Sequence, residues 1–154
     1  MKATVFVVNY GAGNTKSVCR ALELAGATCI LSDEQESLRS ATHIVLPGVG
    51  AMGPALAALR AKNLDDYIIE AVQESVPLLG ICLGMQLLAT SGTENGAHSA
   101  LNLIGGEVRK LGGDNQKLPR LGWFDVTRRE GHQSIESVML KGLPEKVSFY
   151  FVRP

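Results

Sequence analysis

The sequence predicts an α/β fold, in which a mostly parallel sheet flanked by helices precedes a β-rich C-terminal part. Two observations support this prediction. In the first part of the chain, short apolar runs alternate with segments whose apolar residues recur at helical spacing. Beyond Ser99–Gly106, strand-like runs follow one another with little helix between them. We interpret Ser99–Gly106 as a loop within one domain and expect residues 1–154 to form a single domain.

The first predicted strand, Thr4–Asn9, is apolar on both faces, which is typical of a buried parallel strand. A helical pattern begins at Asn14 and ends at Gly26. The remaining elements are predicted in the following order: TCILS as a strand, EQESLRSA as a short helix, HIVLP as a strand, helices near Ala51–Arg60 and Leu64–Ser75, VPLLGIC as a strand, LGMQLLATS as a helix, and the strands IGGEVRKL, FDVTRR, SIESVML and VSFYFV.

Composition excludes several classes of function. The 154 residues include 15 Lys+Arg and 15 Asp+Glu, and no basic run stands out, which argues against nucleic acid as a partner. No stretch approaches the length of a membrane span, and the first apolar run is too short for a signal peptide. Three cysteines without a CxxC pair fit reduced thiols better than a disulfide framework, so we expect a cytoplasmic protein.

The segment GICLG, Gly80–Gly84, has the form of a nucleophile elbow with sulfur in place of oxygen. Glycines on both sides of the nucleophile allow a sharp turn from strand to helix. Cys82 would then stand at a helix N-terminus, where the dipole favours a thiolate. The N–H of Leu83 would point to the place where an oxyanion forms. The alternative is a cysteine that only packs, but the strand, the glycines and the following helix favour the elbow.

A second glycine-rich turn has two interpretations. Gly48, Gly50 and Gly53 match G-x-G-x-x-G between a strand and a helix, and Gly11–Gly13 with Asp33 has a related spacing, so a dinucleotide site is one possibility. However, the turn at Gly11–Gly13 lacks the third glycine of the motif, and prolines flank the turn that contains Gly48, Gly50 and Gly53. The other interpretation is that the second turn exposes backbone N–H groups beside the elbow, with Gly50 as a second oxyanion donor.

The segments NYGAGNTKSV, LPGVGAMGPA, GICLGMQLL and LPRLGWFDV, in this order, resemble the glutaminase subunits of imidazole glycerol phosphate synthase, which are class I (triad) glutamine amidotransferases. The resemblance extends from about residue 4 to Val152. It implies hydrolysis of glutamine without a cofactor or metal, and transfer of the ammonia to a (β/α)8-barrel cyclase subunit in a heterodimer. The implied hydrolase, lyase and transferase activities serve histidine biosynthesis. Close relatives serve sugar amidination for surface polysaccharides, and the sequence leaves both uses open.

The resemblance also implies roles for residues of the site. Cys82 would be the nucleophile that forms a glutamyl thioester, and the backbone N–H groups of Gly50 and Leu83 would form the oxyanion hole. Gln86 and Glu94 would help to hold the glutamine substrate. Taken without the resemblance, Gln86 is equally well explained as a solvated helix residue and Glu94 as a loop carboxylate.

Three further residues are implied to face the cyclase partner. Gly11 and Asn14 belong to the YGAGN turn, and Trp123 lies in the LPRLGWFDV segment. Without the resemblance, Trp123 is better explained as a core residue than as an interface residue.

The chain departs from the family pattern at the catalytic base. The family's base is a histidine in an HPE segment, with the glutamate orienting it, and this sequence contains no HPE. Arg153 stands where the family has a histidine after FYFV, Arg120 replaces a histidine, and Phe124 replaces an asparagine. We therefore expect a chain that lacks the last elements of the fold, is incomplete at its C-terminus and has little glutaminase turnover.

The three histidines of the chain are weak substitutes for that base. His43 opens the third strand, whereas active sites of parallel sheets lie at the carboxyl ends of strands. His98 follows the helix that leads away from Cys82 and is expected to be remote. The position of His132, in REGHQSIE, argues least against a role as the base.

Three functions stay open: a glutaminase subunit, a non-catalytic module that binds a cyclase or glutamine, and a nucleotide-binding α/β domain.

Overall fold

The computed structural model describes residues 2–111, 120–126, 141–144 and 146–153. The chain divides into two compact units, Met1–Lys110 and Leu111–Pro154. The single domain expected from the sequence stays a prediction. Within the described ranges, no helix combines the length and the apolar character needed to cross a bilayer.

The first unit confirms the predicted α/β fold with helices flanking a parallel sheet. Its elements are β1 (Thr4–Val8), α1 (Thr15–Leu24), β2 (Thr28–Ser32), α2 (Gln35–Leu38), β3 (His43–Gly48), α3 (Met52–Arg60), α4 (Leu64–Gln73), β4 (Leu78–Cys82), α5 (Leu83–Gln86), β5 (Ala89–Gly92), β6 (His98–Ser99) and β7 (Ile104–Val108). The strands β2-β1-β3-β4 form a four-stranded sheet in this order, and every pair in it is parallel.

Strand β1 is central, and its two faces pack into separate apolar clusters. Val5 and Val7 belong to a small cluster that includes residues of α1. Phe6 and Val8 belong to the larger core, to which α3, α4 and α5 contribute most of the other side chains. Because successive side chains of a strand point to opposite faces, an all-apolar β1 is what burial on both faces requires.

Helix α1 begins and ends where the sequence predicts. The side chain of Asn14 caps it, because its Oδ1 accepts a hydrogen bond from the N–H of Ser17 at 3.3 Å. At the other end Gly26 has a φ of +91°, a left-handed conformation that glycine adopts without steric cost.

The predicted helix over LGMQLLATS is wrong beyond its first turn. Helix α5 ends at Gln86, and Ala89–Gly92 forms strand β5 instead. The carbonyl oxygen of Leu88 accepts hydrogen bonds from the N–H groups of Leu103 and Ile104, at 2.9 and 2.8 Å. Pairing with this distant segment satisfies the backbone that a longer helix would have used, so a tertiary contact overrides the local helical pattern.

Strands β5, β6 and β7 form a second, three-stranded sheet in the order β6-β5-β7. Strand β5 is antiparallel to β6 and parallel to β7. In the second unit, β8 (Arg120–Val126) and β9 (Val147–Arg153) form an antiparallel pair. The predicted strand VSFYFV lies within β9, and IGGEVRKL begins with β7 but extends three residues beyond its end. FDVTRR overlaps β8 at residues 124–126, although β8 begins four residues earlier, whereas the rest of FDVTRR and all of SIESVML lie outside the described residues.

Candidate active site at the carboxyl end of β4

Cys82 is the last residue of β4 and directly precedes α5. Its backbone has φ +57° and ψ −118°, a combination that few residues other than glycine adopt. Its thiol is free and the residue is exposed. A strained backbone that presents an accessible nucleophile between a strand and a helix is the geometry of a nucleophile elbow.

Two glycines allow this turn because neighbouring backbone occupies the space of a side chain. A Cβ on Gly84 would lie 2.7 Å from the carbonyl carbon of Leu46 on β3 and closer still to its oxygen. A Cβ on Gly80 would lie 2.5 Å from the Cα of Met85. These contacts involve main-chain atoms, which cannot rotate away as a side chain can. They confirm the steric role that the sequence assigns to the glycines of GICLG.

The turn after β3 lies beside the elbow. Gly48 is the register partner of Cys82 in the parallel pair β3–β4, so both strands end at the same level. Gly50 follows two residues later, is exposed and has a φ of +91°. Leu83 directly follows Cys82 and is buried. This placement agrees with oxyanion donors at Gly50 and Leu83, roles that stay predictions.

Tyr10 supports the turn after β3 and is a residue that the sequence reasoning missed. Its buried hydroxyl donates a hydrogen bond to the carbonyl oxygen of Pro47 at 2.9 Å. Burial raises the pKa of the Tyr10 phenol to about 12, and the nearby Cys82 adds to this shift because a thiolate would repel a phenolate. The signal was a tyrosine directly after an apolar strand, whose hydroxyl needs a partner once the ring is buried.

We expect the stability of the protein to fall between about pH 10 and about pH 12 because of Tyr10. The folded-state pKa of about 12 exceeds the ordinary value of 10.0, so the folded chain binds this proton more tightly than the unfolded chain. The resulting stabilisation is complete below pH 10.0 and is lost as the pH rises through the folded pKa.

Denaturant unfolding of wild type and of Tyr10→Phe across this pH range measures the effect. At pH 8 the variant should be less stable by about 1–3 kcal/mol, because the buried carbonyl of Pro47 loses its donor. The difference between the two proteins should then shrink as the pH rises. A constant difference up to pH 12 would contradict this assignment.

Glu94 lies against the first turn of α3. Its Oε2 accepts a hydrogen bond from the backbone N–H of Met52 at 3.3 Å, and the residue is half-buried. A carboxylate at this end of a helix is stabilised by the unpaired N–H groups and by the helix dipole. Glu94 is therefore held near the turn that contains Gly50, since α3 begins two residues after that glycine.

The structure places Gln86 in different surroundings. It lines a groove of about 420 Å³ between α5 and β7, together with Met85 and Glu107.

Of the residues expected to face a partner, Gly11 and Asn14 are exposed at the start of α1, where Asn14 is also the helix cap. In the second unit, the side chain of Trp123 is 71% exposed, against the core position that the tryptophan alone suggested.

The described histidines occupy two distinct places. His43 begins β3, and Gly48, which pairs with Cys82, ends the same strand, a separation of about 16 Å along the chain direction. His98, which the sequence placed away from Cys82, contacts Gly53 and the backbone of Glu94. His132 lies outside the described residues. Among the residues described, none form a group of three or more potential metal ligands.

Comparison with known proteins assigns the chain to a family of enzymes. The sequence profile of the family described as glutamine amidotransferase class-I matches residues 6–150, and the chain therefore belongs to that family of enzymes. Its relatives within the family include "Imidazole glycerol phosphate synthase subunit HisH" of Dehalococcoides mccartyi (strain CBDB1), which is 40% identical over 148 residues, or 96% of this chain and 69% of the relative. The protein of the same name from Chloroflexus aurantiacus is 44% identical over the same share of both chains.

Solved structures agree with the fold. A glutamine amidotransferase crystal structure superposes with a TM-score of 0.70 at 19% identity, covering 97% of this chain and 69% of the other. A putative GMP synthase protein from Thermoplasma acidophilum gives a TM-score of 0.63 at 18% identity, covering 99% and 65%. The resemblance to glutaminase subunits of imidazole glycerol phosphate synthase is thus confirmed by sequence, and the α/β fold by both comparisons.

Proposed function

We propose that the chain acts as the glutaminase subunit of a two-subunit enzyme of histidine biosynthesis. The thiolate of Cys82 attacks the carboxamide carbon of glutamine, and the oxyanion that forms is stabilised by the N–H groups of Gly50 and Leu83. Ammonia leaves with an added proton, and a glutamyl thioester remains on the sulfur. Water then attacks the thioester carbon and releases glutamate and the free thiol. The ammonia passes to a cyclase subunit.

One observation carries this proposal: an exposed thiol on a strained residue at the shared end of β3 and β4, beside an exposed glycine turn. The names of the relatives describe a subunit of imidazole glycerol phosphate synthase, which supports the proposed second subunit and the proposed pathway. The (β/α)8 barrel of that partner, the heterodimer and a cytoplasmic location belong to the proposal as well. Use in sugar amidination is the alternative pathway, and it requires the same residues in this subunit.

The catalytic base limits the activity we expect from the 154-residue chain. The sequence contains no HPE segment, and neither described histidine replaces it. His43 begins β3, at the end of the strand opposite to Gly48. The Nε2 of His98 is already engaged with a backbone carbonyl. General acid–base help to a leaving amine is typically worth about 10²–10⁴-fold in rate. We therefore expect the 154 residues, purified by themselves, to turn over glutamine more slowly than a relative that carries the HPE segment, by a factor in this range.

Glutamate release from glutamine tests the proposal directly. The purified chain is assayed alone and with a cyclase subunit, and Cys82→Ala provides the blank. We expect turnover that depends on Cys82 and increases with the cyclase, at a low absolute rate. Turnover that persists in Cys82→Ala would contradict the role of the thiol. A rate equal to that of a complete family member would contradict the predicted impairment and would make His132 or the partner the first candidate for the base.

A non-catalytic module is the second candidate, and the two described histidines favour it, because His43 begins β3 and the Nε2 of His98 is bonded to a backbone carbonyl. Such a module would use the same residues to bind glutamine or a cyclase, and Cys82→Ala would leave its binding intact. The nucleotide-binding alternative finds less support. Asp33, the candidate ribose ligand, forms an ion pair with Lys62, which lowers the pKa of its carboxyl group. In the other glycine-rich turn, Gly53 is the third glycine of G-x-G-x-x-G. It lies against the ring of His98, which occupies the space beside it.

A further inference from the structure

The segment 92–99 runs from the last residue of β5 through β6, contains Glu94 and is hydrogen-bonded to α3 near both ends of that helix. At the first turn, Glu94 accepts the N–H of Met52. Near the last turn, Nη2 of Arg60 donates a hydrogen bond to the carbonyl oxygen of Ser99 at 2.8 Å. Because α3 follows directly from the turn of Gly50, this attachment fixes the position of Glu94 relative to that turn.

His98 lies between these two attachments and is itself bonded to Glu94. Its Nε2 is 3.0 Å from the carbonyl oxygen of Glu94. A carbonyl oxygen only accepts, so Nε2 carries the hydrogen and donates it. This bond joins the side chain of His98 to the backbone of Glu94 and so closes the five-residue turn between them.

The ring of His98 also contacts α3. A Cβ on Gly53 would lie 2.7 Å from Cε1, 3.1 Å from Nε2 and 3.3 Å from Nδ1 of His98. The ring edge that carries both nitrogens therefore faces the first turn of α3, and a residue larger than glycine at position 53 would displace it. The ring is fixed by a hydrogen bond on one side and by helix backbone on the other.

We propose that His98 is a positioning residue for glutamine: it holds the turn 94–98 so that the carboxylate of Glu94 binds the α-ammonium group of the substrate. The inference rests on the proposed glutaminase function. His98 does not take part in proton transfer in this proposal, because its Nε2 proton is used in the bond to the backbone. Removing the ring should weaken recognition of glutamine and leave the reactivity of the Cys82 thiol unchanged.

Two alkylating reagents separate these effects without requiring turnover. The chloromethyl ketone analogue of glutamine retains the α-ammonium and α-carboxylate groups, and the Cys82 thiolate displaces its chloride to form a thioether. Iodoacetamide forms a thioether by loss of iodide but carries neither α-group. Mass spectrometry of the Cys82 peptide gives both rates. Burial raises the pKa of the Cys29 thiol to about 12, with the adjacent Cys19 contributing, so Cys29 should react slowly.

We expect His98→Ala to lower the rate constant for labelling by the analogue about 10-fold, the effect of one lost hydrogen bond, and to leave the iodoacetamide rate within about 2-fold of wild type. His98→Gln is the matched control, since its amide N–H can replace the Nε2 donor, and it should restore most of the rate. Glu94→Gln keeps an oxygen that can accept the N–H of Met52 but loses the charge, so it should lower the analogue rate at least as much.

Gly53→Ala provides a second route to the same effect. It keeps His98 but displaces its ring, so it should lower the analogue rate in the wild-type background. In the His98→Ala background it should cause no further loss, because the clash is gone.

Three outcomes would overturn the inference. Equal loss with both reagents in His98→Ala would mean a general structural role. Analogue labelling at the wild-type rate in His98→Ala would mean that the ring does not position Glu94. Failure of His98→Gln to exceed His98→Ala would exclude the hydrogen bond as the cause. A separate outcome would test the proposed function itself. If Cys82 of wild type reacts with iodoacetamide but the analogue labels Cys82 no faster than it labels the other cysteines, the chain has no glutamine site. The proposed function then fails, and the role of His98 fails with it.

Discussion

Gly84→Ala is expected to destabilise the protein by about 3 kcal/mol or more and to abolish labelling of Cys82 by glutamine analogues. The added methyl group would be pressed against the carbonyl of Leu46, which belongs to the buried backbone of β3. Neither partner can move without separating α5 from the sheet. The elbow would open, and Cys82 would lose the conformation that presents its thiol.

Urea unfolding of Gly84→Ala against Gly105→Ala measures this effect. Gly105 is a suitable control because a Cβ there has no neighbour within 4 Å and its φ lies outside the left-handed region. The control substitution should change the free energy of unfolding by about 0.5 kcal/mol or less. Equal behaviour of the two variants would mean that the close approach of α5 to β3 is not required for stability.

Cys82→Gly is expected to stabilise the protein by about 0.5–2 kcal/mol while removing all glutaminase activity. A φ of +57° with a ψ of −118° costs a residue with a Cβ about 1–3 kcal/mol, and glycine avoids most of this cost. Part of the gain is offset because glycine makes the unfolded chain more flexible. The expected net gain means that the nucleophile is kept at the expense of folding stability.

The matched control is Cys82→Ala, which removes the sulfur but keeps the Cβ and therefore keeps the strain. Its stability should lie close to that of wild type and below that of Cys82→Gly, by thermal or urea unfolding. Both variants should give the same background in a glutamate-release assay. A Cys82→Gly protein that is less stable than Cys82→Ala would show that the backbone at position 82 is not strained.

The sequence predicted the α/β part well because its signals are local. Strand β1 is apolar on both faces, and α1 has both a capping asparagine and a terminal glycine. The elbow at Cys82 was predicted for the same reason, since its glycines, strand and helix lie within a short segment. The prediction was wrong for Ala89–Gly92, where pairing with β7 converts an expected helix into a strand. Such pairing depends on residues that lie beyond the next turn of the chain, which a local pattern does not include.

The supporting residues of the site were harder to predict because their partners are distant in the chain. Tyr10 bonds to Pro47, which is 37 residues away, and Glu94 bonds to Met52 across 42 residues. His98 was set aside because it follows the helix after Cys82, whereas the structure returns the chain to α3. The resemblance pointed to Glu94 but assigned no individual role to Tyr10 or His98, whose contacts become visible only once the fold has brought Tyr10 beside β3 and β6 beside α3.

The close approaches at Gly80 and Gly84 separate what builds the elbow from what reacts there. The shape depends on positions where no side chain fits, whereas position 82 projects into solvent and contributes a single sulfur atom. Exchange of that atom for another nucleophile, such as the hydroxyl oxygen of serine, would leave the fold unaffected. Selection on folding therefore preserves the glycines, whereas it does not preserve the cysteine, whose strained backbone lowers stability. In a lineage released from the need for ammonia, the chemistry of this chain could be lost in one step while its architecture persisted.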